Sequence, residues 1–335
     1  MNFETLKLEK GMYANPQKSF SQTLEELDPS HDYAGTPLEG LDAFARQLKR
    51  FDIKVSGAKS DSIYKFFENT QAAALFPEYV SRAVLSGITA ADRLGDVVAA
   101  TTNIASLDYR TLNARPESES KAMKVVAQGA EIPSTVMKTQ DNLVKLQKRG
   151  RVLVASYEAL KFQRLDLFTV TLRQIGAQIA RMQFNDAVDV LINGDGNQNA
   201  AAVVNAATAG TLKYGDLINL YNKLDPYELS TIIASTDMMT AMLNIDEFKN
   251  PMTGINFQGT GRIDNPIGAK FLKAPTAAAG TIIGLDKGCA LEKVVASDVS
   301  IDYDRLIDRQ LERAAITSIM GFAKIFPEAS KVLKV

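Results

Sequence analysis

The sequence predicts an α+β protein organised along one long helix. Three observations carry that reading. Apolar residues recur at steps of three and four from Leu165 to Leu191, which is the helical period. A polar and basic excursion at 108–154 reads as two extended strands joined by a turn. Residues 211–295 then alternate short apolar runs with helical ones, as a compact mixed unit does.

At 335 residues the chain has room for two domains, or one with large extensions. With 46% hydrophobic and 23% charged residues it has the composition of a soluble protein, and no apolar run approaches a membrane span. Met1-Asn2-Phe3-Glu4 has no basic-then-apolar pattern, so secretion is not expected. One cysteine, Cys289, excludes an internal disulfide and a multi-cysteine metal site. One histidine, His31, excludes zinc sites that need two. A net charge of −1 does not describe a dedicated nucleic-acid binder.

Residues 1–37 are polar and interrupted by Pro16, Pro29, Gly35 and Pro37, and read as an extended or partly ordered arm. His31 lies in the turn-like Asp28-Pro29-Ser30-His31-Asp32 and reads as a surface histidine. A short amphipathic helix follows at 38–51, with Leu41, Phe44, Leu48 and Phe51 on one stripe. In 62–86, Phe66, Phe67, Leu75, Phe76 and Val80 need burial, and Pro77 breaks or starts a helix. Residues 89–94 read as a turn or short helix, and 97–107 as a strand.

The excursion at 108–154 opens with a polar stretch, then a short strand at Met123, Val125 and Val126, a turn at 128–133 and a return strand at 142–155. It has too few large apolar side chains for a core of its own, and an isolated hairpin is marginal in water. It therefore needs a partner surface, read here as another chain. From Leu107 to Val154 the basic residues are Arg110, Arg115, Lys121, Lys124, Lys138, Lys145, Lys148, Arg149 and Arg151. Against five acids these nine leave +4, and since the whole chain carries −1 the remainder carries −5. A basic loop on an acidic body suits docking between copies; a solvated ribbon with incidental charge is the plainer alternative.

The helix at 166–191 carries Leu165, Phe168, Leu172, Ile175, Ile179 and Met182 on its stripe, continued by Ala187, Val190 and Leu191. Asp166 is the expected N-cap, and Asn193-Gly194-Asp195-Gly196-Asn197 the stop. Residues 193–210 read as a linker with few constraints. In 211–295, helices are expected at 214–224 and 236–243, and strands at 230–234, 267–272 and 281–285. The charged run at 301–315 is ambiguous between helix and strand, and 322–329 reads as strand then turn.

The sequence carries few motifs of catalysis or ligand binding. Gly259 and Gly261 do not extend into a dinucleotide fingerprint, and there is no phosphate loop and no nucleophile elbow. Cys289 sits between apolar neighbours and reads as a buried inert thiol. Asp195 lacks the ligand spacing of a calcium loop and reads as part of the helix stop. Asp302, Asp304, Asp308 and Glu312 alternate with Arg305, Arg309 and Arg313, a self-neutralised surface. Met238, Met239 and Met242 read as core filling.

In this order of parts the chain resembles the major capsid proteins of tailed bacteriophages, whose fold is named after phage Hong Kong 97 (the HK97-like capsid fold). The resemblance covers roughly 62–335. It rests on FFENTQAAALFPEYVSRAVLSGI at 66–88, VVAQGAEIPSTVMKTQDNLVKLQKRGRVLVASYEAL at 125–160, FNDAVDVLINGDG at 184–196 and GFAKIFPEASKVL at 321–333. It also rests on STIIASTDMMTAML, NPIGAKFLKAP and TIIGLDKGCALE between them. It implies an N-terminal arm (1–61), the first part of a peripheral domain (62–107) and an extended two-stranded loop (108–154). A spine helix with more of the peripheral domain (155–210), an axial domain (211–295) and a return to the peripheral domain (296–335) complete it.

The implied role is structural, not enzymatic, with no cofactor or metal. Hexamers and pentamers would close into an icosahedral shell around double-stranded phage DNA, with the extended loop and its nine basic residues as assembly contacts. A virion made in a bacterial cytoplasm, a separate scaffolding protein, a portal, other capsid proteins and non-specific contact with DNA are implied, with no membrane. Some relatives of this kind cross-link a loop lysine to a neighbour's asparagine; Lys121, Lys124 and Lys138 lie in that loop, but no cross-link is expected here. An encapsulin-type nanocompartment is the alternative use of the same fold, and a metabolic enzyme the reading from another class.

Overall fold

The structure is a computed structural model and describes residues 3–13, 18–106, 108–113, 128, 138–156, 162–249, 266–306 and 311–335. Among the described residues there are eleven strands: β1 (Val98–Asn103), β2 (Leu112–Asn113), β3 (Lys138–Thr139), β4 (Gln147–Ser156), β5 (Ala202–Asn205), β6 (Thr231–Ala234), β7 (Lys270–Lys273), β8 (Thr281–Leu285), β9 (Leu291–Leu306), β10 (Leu311–Lys324) and β11 (Ser330–Lys334). They form a four-stranded sheet in the order β1-β9-β10-β4, a five-stranded sheet in the order β5-β11-β8-β6-β7, and the pair β2-β3. The chain divides into one unit of residues 1–91, 149–180 and 299–318 and a second of 92–148, 181–298 and 319–335.

In the first unit the core is aromatic. Phe66, Phe76, Tyr79 and Phe168 have ring centroids 5.3 to 6.4 Å apart, in the range where aromatic pairs attract. The helix Phe76–Ala91 opens with Pro77 at its second residue, where a missing N–H costs nothing. It crosses the helix Leu165–Asn193 at two glycines. A Cβ on Gly87 would lie 2.1 Å from the carbonyl oxygen of Arg173, and one on Gly176 would lie 2.1 Å from that of Val84. Only hydrogen fits at either place.

Residues 1–37, expected as an extended or partly ordered arm, contain a helix, and the helix expected at 38–51 is present as Ala43–Arg50. The helix Phe20–Leu27 begins with a capping box: Gln22 N–H donates to Ser19 Oγ (3.2 Å), and Ser19 N–H donates to Gln22 Oε1 (2.8 Å). The helix Ala43–Arg50 is capped by Asp42, whose Oδ1 accepts from Ala45 N–H at 2.8 Å. Leu8, Phe20, Leu24, Phe44 and Leu48 are buried in the same core as Phe66 and Val84. Too much apolar surface sits at helical spacing here for an arm in water. The lobe is locked by Arg46, fully buried, which donates Nε–H to Asp28 Oδ2 at 2.7 Å and stacks 4.2 Å over the Tyr33 ring. Tyr33 O–H donates to the other oxygen of the same carboxylate. His31 is exposed beside Asp32.

The second unit is built on the five-stranded sheet. β6 and β8 are buried at every position, as central strands covered on both faces must be. The helices Tyr214–Lys223 and Thr236–Leu243 bring Leu217, Leu220, Met239 and Met242 onto Ile232, Ile282 and Leu333. Met238 is only half-buried at the edge of that cluster. The expected linker after the long helix is structured: β5 pairs in parallel with β11, Val203 opposite Val332. Of the ambiguous run at 301–315, residues 301–306 lie in β9 and 311–315 in β10, so strand is the outcome there, and 307–310 lie outside the described residues. Asp304, Arg305, Asp308, Arg309 and Glu312 have side chains outside the described residues. Asp166 sits one residue inside the helix and accepts from Leu167 N–H, so it is not the N-cap. Among the described residues no helix is long and apolar enough to cross a membrane.

Candidate assembly element: the root of the extended loop

On either side of residues 114–137 the second unit holds the antiparallel pair β2–β3, Leu112 opposite Thr139 and Asn113 opposite Lys138. Two more backbone bonds continue the pairing: Gln140 N–H to Thr111 C=O (2.9 Å) and Val144 N–H to Tyr109 C=O (2.8 Å). The expected inner strand at 123–126 and the turn at 129–133 lie outside the described residues. The return strand starts at Gln147, later than the expected 142.

Side chains fasten this root on two sides. On the outgoing side stands Glu292 of β9, 6% exposed. Its Oε1 accepts from Thr102 Oγ–H (2.5 Å) and Tyr109 O–H (2.7 Å), and its Oε2 from Thr111 Oγ–H. Three hydroxyls thus serve one buried carboxylate, which makes these charge-assisted bonds. Burial, and then the bond to Glu292, raise the Tyr109 phenol above its ordinary range.

On the return side the stop of the long helix is a hub. Gly194, with φ +85°, turns the chain. Asp195 then accepts from Asn197 N–H (3.1 Å) and Nδ2–H (2.9 Å) through Oδ1, and from Lys324 N–H (2.9 Å) through Oδ2. Asn197 donates Nδ2–H to Gln140 Oε1 and accepts Asn142 N–H at 3.0 Å. Asn142 Nδ2–H reaches Gly196 C=O at 2.9 Å, and Gln140 Nε2–H reaches Lys324 C=O at 3.1 Å. The Asp195 oxygens expected to end a helix therefore also hold β10 and the loop root. The lysine at the centre, Lys324, is fully buried, and burial depresses its amine to about 8 against the pull of Asp195 and Glu328.

The nine basic residues are scattered by this geometry. Arg110 is used within the root, donating Nη1–H to Asp141 C=O. Arg151 donates to Gln178 Oε1 at 2.6 Å in the first unit. Lys145 and Lys148 are exposed, and Arg149 is half-buried. Lys138 pairs its backbone in β3. Arg115, Lys121 and Lys124 lie outside the described residues. Cys289 is half-buried where a buried thiol was expected; burial and Asp286 push its thiol up, away from nucleophilic character.

Sequence reading missed Glu292, Gln140, Asn142, Asn197 and Lys324. Only the Asn/Asp/Gly density of 193–197 signalled anything, and it signalled a turn.

Residues 138–298 match the family model described as phage capsid protein. No curated protein matches the sequence. Among solved structures the chain is similar to the capsid of a native GTA particle, at 15% identity and a TM-score of 0.52, covering 72% of this chain and 90% of that one. It is similar to a virus-like particle from Pyrococcus furiosus, at 13% identity and 0.51, covering 77% and 98%. It is similar to the capsid of the cyanophage P-SCSP1u, at 11% identity and 0.50, covering 71% and 86%.

Proposed function

We propose that this chain, which has the HK97-like capsid fold and a phage capsid family match over residues 138–298, is a major capsid protein whose work is to make a closed shell with copies of itself. What supports the reading most is the extended loop. It is a basic excursion, too poor in apolar residues to stand alone, rooted in its own unit by two sets of polar side chains. The root is held by these bonds, and a neighbour supplies the surface the loop's composition lacks. In this reading the first unit serves as the peripheral domain and the five-stranded unit as the axial domain of hexamers and pentamers. Shell closure sums many contacts, so each can be weak. The enclosed material is double-stranded DNA, with a separate scaffolding protein, a portal and other capsid proteins as partners, in a virion made in the bacterial cytoplasm. The exposed Lys145 and Lys148 are the assembly contacts among the described loop residues.

Deletion of 117–137 tests the clasp. The variant is expected to fold, with wild-type melting, and to form no closed particles under electron microscopy. A deletion variant that closes normal shells would remove the loop from assembly. Absorbance at 260 and 280 nm on purified wild-type particles separates a DNA shell from an encapsulin-type compartment with protein cargo.

A further inference from the structure

The end of β10 carries a buried amine. Lys324 is fully buried, and among the described residues its Nζ has no hydrogen-bond partner. Lysine normally threads its flexible stem to the surface and keeps the ammonium in water. Here the ammonium stays inside. The Lys324 N–H is held by Asp195 Oδ2 at 2.9 Å and its C=O by Gln140 Nε2–H at 3.1 Å, which ties its main chain into the hub. The ionisable groups on the surrounding elements are few. Asp195, after the long helix, and Glu328, in the turn Pro327–Ala329, both attract the ammonium. Glu292 of β9 is committed to the hydroxyls of Thr102, Tyr109 and Thr111. Asp286 accepts from the backbone N–H groups of Glu228 and Gly288. Nearby Cys289 is uncharged at neutral pH, its thiol being pushed up.

We propose that Lys324 makes the root of the extended loop a proton-operated latch: the neutral amine lets the hub of Asp195, Asn197, Gln140 and Asn142 stay shut, and the ammonium drives it open to admit water. The cause is solvation. An unpaired buried ammonium is costly, while a buried amine is not. The same hub bonds that bury the lysine fix Gln140 and Asn142, so opening it loosens the loop at its return strand. The proton comes from solvent and goes back to it. With the amine titrating at about 8 when shut and near 10.4 when hydrated, the shut form gains about tenfold over the open one between pH 7 and pH 9.

Amide hydrogen exchange on the full-length protein, in one assembly state at both pH values and corrected for base catalysis, reads this directly. The reporters are the N–H groups of Asn142, Asn197 and Lys324, which the hub holds. The N–H of Leu165, bonded to Asp61 C=O in the first unit, is the control. The expected result is a roughly tenfold rise in hub protection from pH 7 to pH 9 with the control unchanged. Lys324→Met should show at pH 7 more protection than wild type shows even at pH 9, where the amine is still partly driven to charge, and no pH dependence. Equal wild-type protection at the two pH values overturns the proposal, and so does a pH dependence that survives in Lys324→Met. The wild-type comparison stands alone should the methionine variant fail to fold.

Discussion

At the scale of residues, two buried cations set what can be changed. Arg46 is satisfied: Asp28 meets its Nε–H, and Ser30 Oγ and Leu41 C=O meet Nη1. Arg46→Leu would leave the Asp28 carboxylate, 2% exposed, without its cation. The expected loss is about 3–5 kcal/mol in urea unfolding, with Asp28→Asn added on top recovering part of it. Lys324 is the opposite case. Its folded value of about 8 lies below its unfolded value of 10.5, so the cost of burying the charge is full below pH 8 and gone above about 10.5. Stability therefore rises with pH through that window. At pH 7, Lys324→Met should unfold at higher urea than wild type, by up to about 3 kcal/mol, and lose the slope. Equal stability of the two proteins at pH 7 would show that the charge is already solvated.

At the scale of elements, the crossing of the helices Phe76–Ala91 and Leu165–Asn193 is the most constrained contact. The groups that meet Gly87 and Gly176 are backbone atoms, which cannot rotate aside. Gly176→Ala should cost about 1–3 kcal/mol in spite of better helix propensity, as should Gly87→Ala. The double variant should cost less than the sum, because both push the same two helices apart. The buried face of the long helix also differs from its apolar stripe. Leu165, Leu172, Gly176, Ala180, Phe184, Ala187, Val188 and Leu191 are buried, whereas Ile179 is half-buried and Met182 is 37% exposed. Leu172→Asp is accordingly the substitution that should abolish folding, read as loss of a cooperative melt. Helix period and the large apolar residues were legible in the sequence. That Gly176 and Ala180 are interior was not, because small residues carry no hydrophobic signal and only the close approach of another helix makes them so.

At the scale of the whole molecule, the charge is divided. The segment 107–154 carries +4 and the rest of the chain −5, so assembly between copies should have an electrostatic component that salt screens. Lys145→Glu with Lys148→Glu should slow particle formation followed by light scattering, and leave the melting temperature within a degree or two of wild type, since both side chains are exposed. Unaltered assembly kinetics would mean that the loop's charge is incidental.

The sequence by itself determined the strongly patterned elements: the helix at 236–243, the strand at 281–285 and the long helix came within a residue or two of their observed ends. Periodicity and turn chemistry are local, and a single chain states them openly. It also determined, through the order of the parts, that the fold is a capsid fold. The tertiary structure decided everything that depends on distant residues meeting. It packed the N-terminal helices into the core, paired 202–205 with the C-terminal strand, and turned a helix stop into the hub that grips the loop root. It also buried Lys324, which in sequence is one lysine among many. Burial is a property of the surroundings, and the surroundings of Lys324 come from residues 140, 195 and 328, separations at which no local pattern speaks.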